Sequence, residues 1–301
     1  MGAPRWPDLG VLELLTAVGS TGSLGAAARQ VGMAQPNASR ALRGLERDLG
    51  LSLVHRSPRG SRLTTHGLLV VEWAAAVLEP ALRFGLACDS LRSHARGRLG
   101  VAASRTIAEY AVPQWLSTLR EESPEVQVML HVMNSAEVCD AVQEGTSDLG
   151  FIEAPRAPRG LRSTVVGRDR LLVVVAPAHP WARRRRPLTA AELAQTPLVL
   201  REPGSGTRET LEARLAPLEL APPALELGSN DSIRISVASG AGATVLSELA
   251  VRQALAAGTL VEVPVADLDL ERRFRAVWSG PAAVRGPASD LVRIARATVT
   301  A

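Results

Sequence analysis

Between Val11 and Leu49 the apolar periodicity is broken twice by short glycine-bearing segments, a spacing that admits three short helices and little else. Val11, Leu14, Leu15 and Val18 recur at i, i+3, i+4 and i+7, one face of a first helix. Gly19-Ser20-Thr21-Gly22 ends it, and Ser23 is placed to cap a second helix running to about Val31. Gly32 then makes a tight turn. A third helix begins near Gln35, with Pro36 in the first turn, where its missing N–H costs nothing. Ala38, Leu42, Leu45 and Leu49 form its buried stripe, and Pro36, Arg40, Arg43 and Arg47 fall on the opposite face. Two short helices joined by a glycine turn, the second with an arginine-rich outer face, make a helix-turn-helix. An amphipathic helix with a solvated basic face satisfies the same spacing.

The next segments narrow the choice. Leu51 to His55 and Ser61 to Thr64 read as short strands around the basic turn Arg56-Ser57-Pro58-Arg59-Gly60. This is a wing, suited to phosphates or a minor groove beside a recognition helix. Thr65 then caps a long helix, in which Leu68, Val71, Ala75, Leu78 and Leu82 repeat at 3-4-3-4 spacing. Such a seam joins two helices of a dimer, or packs on the protein's own body. Pro80 lies off the seam, where a kink is expected. Charge points the same way. All 34 basic residues are arginine, and residues 1–66 hold eight of them against Asp8, Glu13, Glu46 and Asp48. That balance of +4 equals the formal charge of the whole chain, so the polyanion-binding surface belongs to the first fifth of the sequence.

Four stretches carry a family resemblance: Gly22-Ser23-Leu24-Gly25-Ala26-Ala27-Ala28, Ala34-Gln35-Pro36-Asn37-Ala38-Ser39-Arg40, Leu45-Glu46-Arg47-Asp48-Leu49-Gly50 and Arg62-Leu63-Thr64-Thr65-His66-Gly67. In order and spacing they resemble the DNA-binding domain of LysR-type transcriptional regulators. Departures are Gly25 where Thr or Ser is common, Ala26 where a basic residue is common, and Val54 in place of an aromatic. The resemblance implies that Gln35, Pro36, Ser39 and Arg40 approach base edges in the major groove. Gln35 and Arg40 have the donors and acceptors for direct readout. Arg43, Arg56, Arg59 and Arg62 would hold phosphates. The partners implied are double-stranded promoter DNA and a second copy of the chain, with a tetramer and RNA polymerase as further options.

Arg96-Gly97-Arg98 reads as a hinge into a new domain of alternating strands and helices. Strands are expected at Leu99–Ala103, Val126–Met133, Asp148–Ile152, Leu171–Ala176, Leu198–Leu200, Ala224–Leu227, Leu260–Val263 and Phe274–Trp278. Helices are expected at Ile107–Glu121, Ala136–Glu144, Ala190–Ala194, Thr207–Leu215, Ser232–Ser239, Glu248–Ala256 and Ser289–Thr298. Three loops each end a strand and open a helix: Ser104-Arg105-Thr106, Asn134-Ser135, and Arg201-Glu202-Pro203-Gly204-Ser205-Gly206-Thr207. Hydroxyls and exposed N–H groups at a helix start suit an anion, and ligands of open α/β sheets gather at the carboxyl ends of strands. The same residues also serve as plain caps.

Gly100 to Glu153, Arg201 to Arg208 and Gly228-Ser229-Asn230-Asp231 are similar to the effector domain of the same family, which resembles type II periplasmic binding proteins. The resemblance implies an N-terminal winged helix-turn-helix over 1–66, a linker and dimerisation helix over 67–96, and a two-lobed α/β effector domain over 97–301. Lobe 1 would be about 98–167 and 268–301, and lobe 2 about 168–267. Ser104, Thr106, Asn134, Ser135, Ser205, Thr207 and Arg201 would hold a small anionic effector between the lobes. No cofactor is expected.

Other features carry less. The five histidines lack metal-ligand spacing, and no nucleophile or acid–base pair converges, so neither a metal site nor an enzyme is expected. Cys88 and Cys139 cannot build a disulfide framework and read as buried thiols. Arg183 to Arg186 reads as a solvated loop, and Gly240-Ala241-Gly242-Ala243 as a turn. The opening Met-Gly-Ala-Pro-Arg-Trp-Pro-Asp has no apolar signal core, and no stretch is long enough to span a bilayer, so a cytoplasmic protein is expected.

Overall fold

The computed structural model describes residues 6–57, 60–94 and 98–298. Its contacts divide the chain into two compact units, with the division between Gly85 and Leu86.

In the first unit, α1 (Leu9–Thr21) starts at Asp8, whose carboxylate accepts the Gly10 N–H at 2.8 Å, and stops at Gly22 in the left-handed conformation. Ser23 caps α2 (Leu24–Gln30) by accepting the Ala26 N–H. Then α3 (Gln35–Leu49) carries Pro36 in its first turn. Leu14, Leu15, Val18, Ala28, Ala38 and Leu42 meet in one core, to which Leu53 of the following loop adds. Leu49, expected in the buried stripe, is exposed, because it stands in the last turn where Gly50 redirects the chain. The wing is an antiparallel pair, β1 (Val54–Ser57) and β2 (Gly60–Leu63). It begins at Val54 rather than Leu51. Glu46 explains the late start: its carbonyl accepts the Leu51 N–H, and its carboxylate accepts those of Leu53 and Val54 at 2.8 and 3.1 Å.

The long helix α4 (Thr65–His94) is capped by Thr64, not Thr65. The Thr64 hydroxyl accepts the Gly67 N–H at 2.9 Å and donates to the Ser52 carbonyl at 2.7 Å. This draws Gly67 onto the chain below it: a β-carbon there would lie 2.1 Å from the Leu53 carbonyl oxygen. Helix α4 is continuous through Pro80. Val70 and Ala74 enter the core of the first unit, with Val71 and Leu78 packed against it.

The second unit contains a nine-stranded sheet. Parallel β4 (Gln127–Met133), β3 (Arg98–Ser104) and β5 (Leu149–Glu153) come first. Antiparallel β11 (Glu271–Trp278) follows, and β6 (Arg162–Val175) lies beside it. Then come β9 (Thr244–Ser247), β7 (Val199–Arg201) and β8 (Leu225–Leu227), while β10 (Val261–Glu262) pairs with β6. Strand β6 belongs to both lobes. Arg162 to Arg170 pair with β11, and Leu171 to Val175 pair with β9 and β10. It starts at Arg162, well before the expected Leu171, because its first half alternates polar residues and shows no apolar run.

Around lobe 1 lie α5 (Arg105–Tyr110), α6 (Val112–Glu122), α7 (Ser135–Gln143) and α12 (Pro287–Thr298). Trp115, Phe151 and Phe274 are among the residues at the centre of its core. The expected helix Ile107–Glu121 is two helices broken at Ala111, since Pro113 cannot donate a backbone hydrogen bond and disfavours helix before it. Lobe 2 carries α8 (Ala190–Ala194), α9 (Gly206–Leu215), α10 (Asn230–Ala238) and α11 (Glu248–Ala256), with a 3-10 turn at Pro180–Arg183. Its apolar residues form two clusters, one on each face of the sheet. Strand β9 was not anticipated; its four residues follow directly on the glycine turn. Among the described residues no helix is long and apolar enough to cross a membrane.

Gly67→Ala should destabilise the first unit by about 1–3 kcal/mol through overpacking against Leu53. Hydrogen exchange of the full chain checks this: amides of α1 to α3 should lose protection while those of β3 and β5 keep theirs.

Candidate functional site

The first candidate surface is the outer face of α3. Gln35, Pro36, Arg40 and Arg43 are exposed there, Ser39 is half-buried, and Arg62 is exposed on the wing strand β2. Arg59 and the side chain of Arg56 lie outside the described residues. Gly25 faces Gln35: a β-carbon at that position would make an ordinary van der Waals contact with the Gln35 amide oxygen, at 3.5 Å.

The expected dimer seam divides. Leu68, Ala75 and Leu82 are exposed, but Val71 and Leu78 lean on the core of their own unit. A second apolar stripe on the same helix, Leu69, Trp73, Val77 and Phe84, is exposed, with Trp73 at 64% and Phe84 at 73%. The heptad pattern hid it, because its spacing is 4-4-7.

The second candidate site lies between the lobes of the second unit. Strand and helix ends bring Ser104, Thr106, Asn134, Ser135, Arg201, Ser205 and Thr207 together there, all of them buried. Asn134 makes a capping box with Glu137. Ser104 and Ser205 stand at N-cap positions without making a side-chain cap hydrogen bond, so capping does not account for their hydroxyls.

What the loops surround is a residue absent from the expected set. Glu153, the last residue of β5, is wholly buried, and its carboxylate accepts the Ser135 hydroxyl at 3.0 Å. Burial pushes its pKa up, but the Arg272 guanidinium and the hydroxyls of Ser104, Thr106 and Ser135 more than offset that and hold it below the usual carboxylate range. Arg272, equally buried, donates to Asp169 at 2.7 Å and to the Thr207 hydroxyl at 2.9 Å. Asp169 also accepts the Ser247 hydroxyl. One charged chain thus runs from lobe 1 through both connecting strands into lobe 2.

Further polar contacts close the lobes on each other. The Gly204 carbonyl accepts the Ala136 N–H at 3.1 Å, and Asn230 donates to Glu109 and Thr106. Arg201 is held inside lobe 2 by Glu202 and by the Asn230 amide oxygen. Glu202 also faces Arg105 across the gap at 3.6 Å. A β-carbon on Gly206 would lie 2.1 Å from the Glu153 carbonyl oxygen and 2.7 Å from the Ser135 hydroxyl. Sequence reasoning missed Glu153, Asp169, Asn230 and Arg272. The first ends a fully buried strand, which offered a weak signal; Asp169 and Arg272 are scattered charges with no local pattern, and Asn230 lies in the stretch Gly228 to Asp231, which the resemblance marks without giving it a contact.

Elsewhere, burial together with Asp140 and Glu209 pushes the Cys139 thiol up to about 11, so it stays protonated and unreactive at neutral pH. The Cys88 side chain lies outside the described residues. Arg183 to Arg186 are exposed, with Arg184 bound to Glu192. Among the described residues no cluster of metal-ligating side chains occurs.

Comparison with known proteins agrees over both units. Residues 9–68 match the bacterial regulatory helix-turn-helix proteins of the lysR family, and residues 92–300 match the LysR substrate binding domain. An uncharacterized HTH-type transcriptional regulator of Mycobacterium tuberculosis, Rv2282c, is 45% identical over 286 residues, covering 92% of each chain. Escherichia coli K12 YeiE, also named an HTH-type transcriptional regulator, is 35% identical over 271 residues, 89% of this chain and 88% of its own. The regulatory domain of Synechocystis PCC6803 CcmR, solved in complex with 2-PG, is 25% identical with a TM-score of 0.59, over 67% of this chain and 97% of its own.

Gly206→Ala should wedge the lobes apart, because both atoms it would strike belong to lobe 1. Small-angle scattering of the full chain should show a more open effector domain, and amides of α7 should exchange faster; an unchanged profile would mean that the loop yields instead.

Proposed function

The chain belongs to the LysR family of bacterial transcription regulators, and on that premise we propose that α3 reads promoter DNA while the interlobe groups answer to a small-molecule effector. The observation that carries the first half is the exposed face of Gln35, Pro36, Arg40 and Arg43, within residues 1–66, whose balance of +4 equals the net charge of the chain. Gln35 and Arg40 offer the bidentate donors and acceptors that distinguish base pairs in the major groove. Arg43 and Arg62, with Arg56 and Arg59 of the wing, hold phosphates and fix the register. Work on promoter DNA puts the protein in the cytoplasm.

Two copies read two half-sites, joined through the apolar flanks of α4. The exposed stripe of Leu69, Trp73, Val77 and Phe84 carries most of that contact, and Leu68, Ala75 and Leu82 contribute on the other side of the helix. Two aromatic side chains so exposed on one helix face are the usual anchors of an interface.

The effector acts between the lobes, through Ser104, Thr106, Asn134, Ser135, Ser205, Thr207 and Arg201. Support comes from buried hydroxyls beyond what capping needs, and from a similar regulatory domain that binds 2-PG. An effector shifts the protein between lobe arrangements only by its difference in affinity for them. The contacts across Ala136–Gly204, Asn230–Glu109 and Arg105–Glu202 are the ones such a shift would break or keep.

Quantitative footprinting at several salt concentrations tests the DNA reading. Binding should weaken steeply with salt, by roughly 0.9 in the log–log slope for each phosphate contact. Arg40→Ala should cost about 1–3 kcal/mol on the cognate site and little on random DNA, whereas Arg62→Ala should weaken both alike. Equal losses for the two would refute the division between reading and positioning. For the dimer, Trp73→Glu with Phe84→Glu should dissociate the protein in sedimentation, and Val71→Glu should instead unfold the first unit.

A further inference from the structure

The two strands that join the lobes carry uncompensated positive charge on the face opposite to Arg272. Cross-strand register sets the faces. Arg272 and Asp169 stand opposite each other, and Arg272 donates to Thr207 at the interlobe site. One residue further along, Arg273 and Arg168 stand opposite each other, so their side chains leave the other face of the sheet together. Both are exposed. Like charges placed so destabilise a pair of strands. Arg275 follows two residues on. Burial first, and then the charge of Arg273, hold its pKa below the ordinary arginine value. Its Nε is buried and meets no hydrogen-bond partner.

The protein does not neutralise these charges itself. Neighbouring arginines are paired: Arg170 with Glu248, Arg214 with Asp269, and Arg272 with Asp169. Among the described residues, the guanidiniums of Arg168, Arg273 and Arg275 make no ion pair and no hydrogen bond. Arg168 and Arg273 line a cavity of about 270 Å³, together with Arg214 of α9 and with Asp269 and Glu271 at the start of β11. It lies beside the stretch of β11 before Phe274, which β5 does not pair with. Asp269 is already committed, since it meets Arg214 at 3.1 Å and accepts the Glu271 N–H at 2.9 Å. Glu271 is the other carboxylate of the lining. A volume at the small end of ligand pockets suits a small molecule rather than a segment of a partner protein.

We propose that this cavity is a second anion site, separate from the interlobe hydroxyls, which takes a small ligand carrying several negative charges on phosphate-type oxygens. It stands whether or not an effector acts between the lobes. Guanidinium groups bind phosphate oxygens in pairs, through two parallel N–H donors. Two arginines directly opposite on neighbouring strands can hold two oxyanion groups, or two edges of one. An anion there cancels the repulsion between Arg168 and Arg273. Through Arg214 it also joins α9 of lobe 2 to both connecting strands, so it stiffens the hinge on which any lobe movement turns. A ligand that stiffens one lobe arrangement is coupled to every other ligand that prefers it. Glu271 opposes any anion that enters, and its charge limits the affinity.

Inorganic pyrophosphate is the probe. Equilibrium dialysis of the full-length chain with radiolabelled pyrophosphate, at constant ionic strength and without divalent cations, compares wild type with three variants. Arg168→Gln combined with Arg273→Gln should weaken binding by about tenfold or more, and Arg168→Gln alone by less. Glu271→Gln should tighten it. Hydrogen exchange locates the bound anion: pyrophosphate should slow the amides of residues 168–170 and 271–273 in wild type, and the double variant should lose that protection. Without pyrophosphate the double variant should be at least as heat-stable as wild type, because it sheds a like-charge pair. No binding by wild type would overturn the proposal. So would undiminished binding by the single and double variants, or protection confined to α3 or to the starts of α5 and α7. A double variant less stable than wild type would overturn it as well, since the two arginines would then be holding the fold and not a ligand.

Discussion

Arg272 places a guanidinium beyond the reach of solvent, at the point where both lobes and both connecting strands meet. Burying such a charge alone would cost far more than a domain's net stability, so its partners are not optional. Asp169 on the neighbouring strand supplies the first, Glu153 at the end of β5 the second, and Thr207 at the start of α9 a hydroxyl acceptor. Each partner comes from a different part of the effector domain. The arginine thereby adds a charged tie between the lobes to the apolar contact that Leu249 of α11 makes with the lobe 1 core. Its aliphatic and planar parts lie near Phe274, with the guanidinium 5.9 Å from the ring centre, so the charged chain rests directly on the lobe 1 core.

A two-lobed domain needs a joint that holds and yet can be changed. Apolar packing between the lobes would hold without discriminating between ligands. The polar closure seen here does discriminate, because every contact in it is a donor–acceptor pair that another polar group can replace. Glycines 204 and 206 make the closure possible. Both would otherwise place a β-carbon within 3.0 Å of lobe 1 atoms, so lobe 2 approaches only because two side chains are missing. The same device recurs in the DNA-binding unit, where Gly67 lets α4 pass over Leu53 and so fixes the start of the linker helix relative to the wing. In both units a glycine sets a distance that a side chain would forbid.

Much of this was legible in the primary structure, and the reason is local. Helix starts, glycine turns and the arginine face of α3 depend on residues within one or two turns of each other. Ser23, Gly22, Gly50 and Pro36 therefore act as their identities suggest. The misreadings are equally physical. Hydropathy puts the start of β6 at Leu171 because it marks only the half that is buried on both faces. The seam at Leu68 to Leu82 matched a heptad, but a heptad does not say which apolar flank faces the chain's own core and which faces outward.

The sequence by itself determined the helix-turn-helix and its wing, the concentration of charge in the first 66 residues, the alternation of strands and helices, and the loops that end at the interlobe site. These rest on propensity, periodicity and capping, which neighbouring residues decide. Only the tertiary structure decided what those loops enclose. Glu153, Asp169 and Arg272 are spread over more than a hundred positions, and none is marked by a local pattern of charge. A buried charge is stable only by virtue of what the fold packs around it, so its role cannot be read until the strands that carry it are side by side.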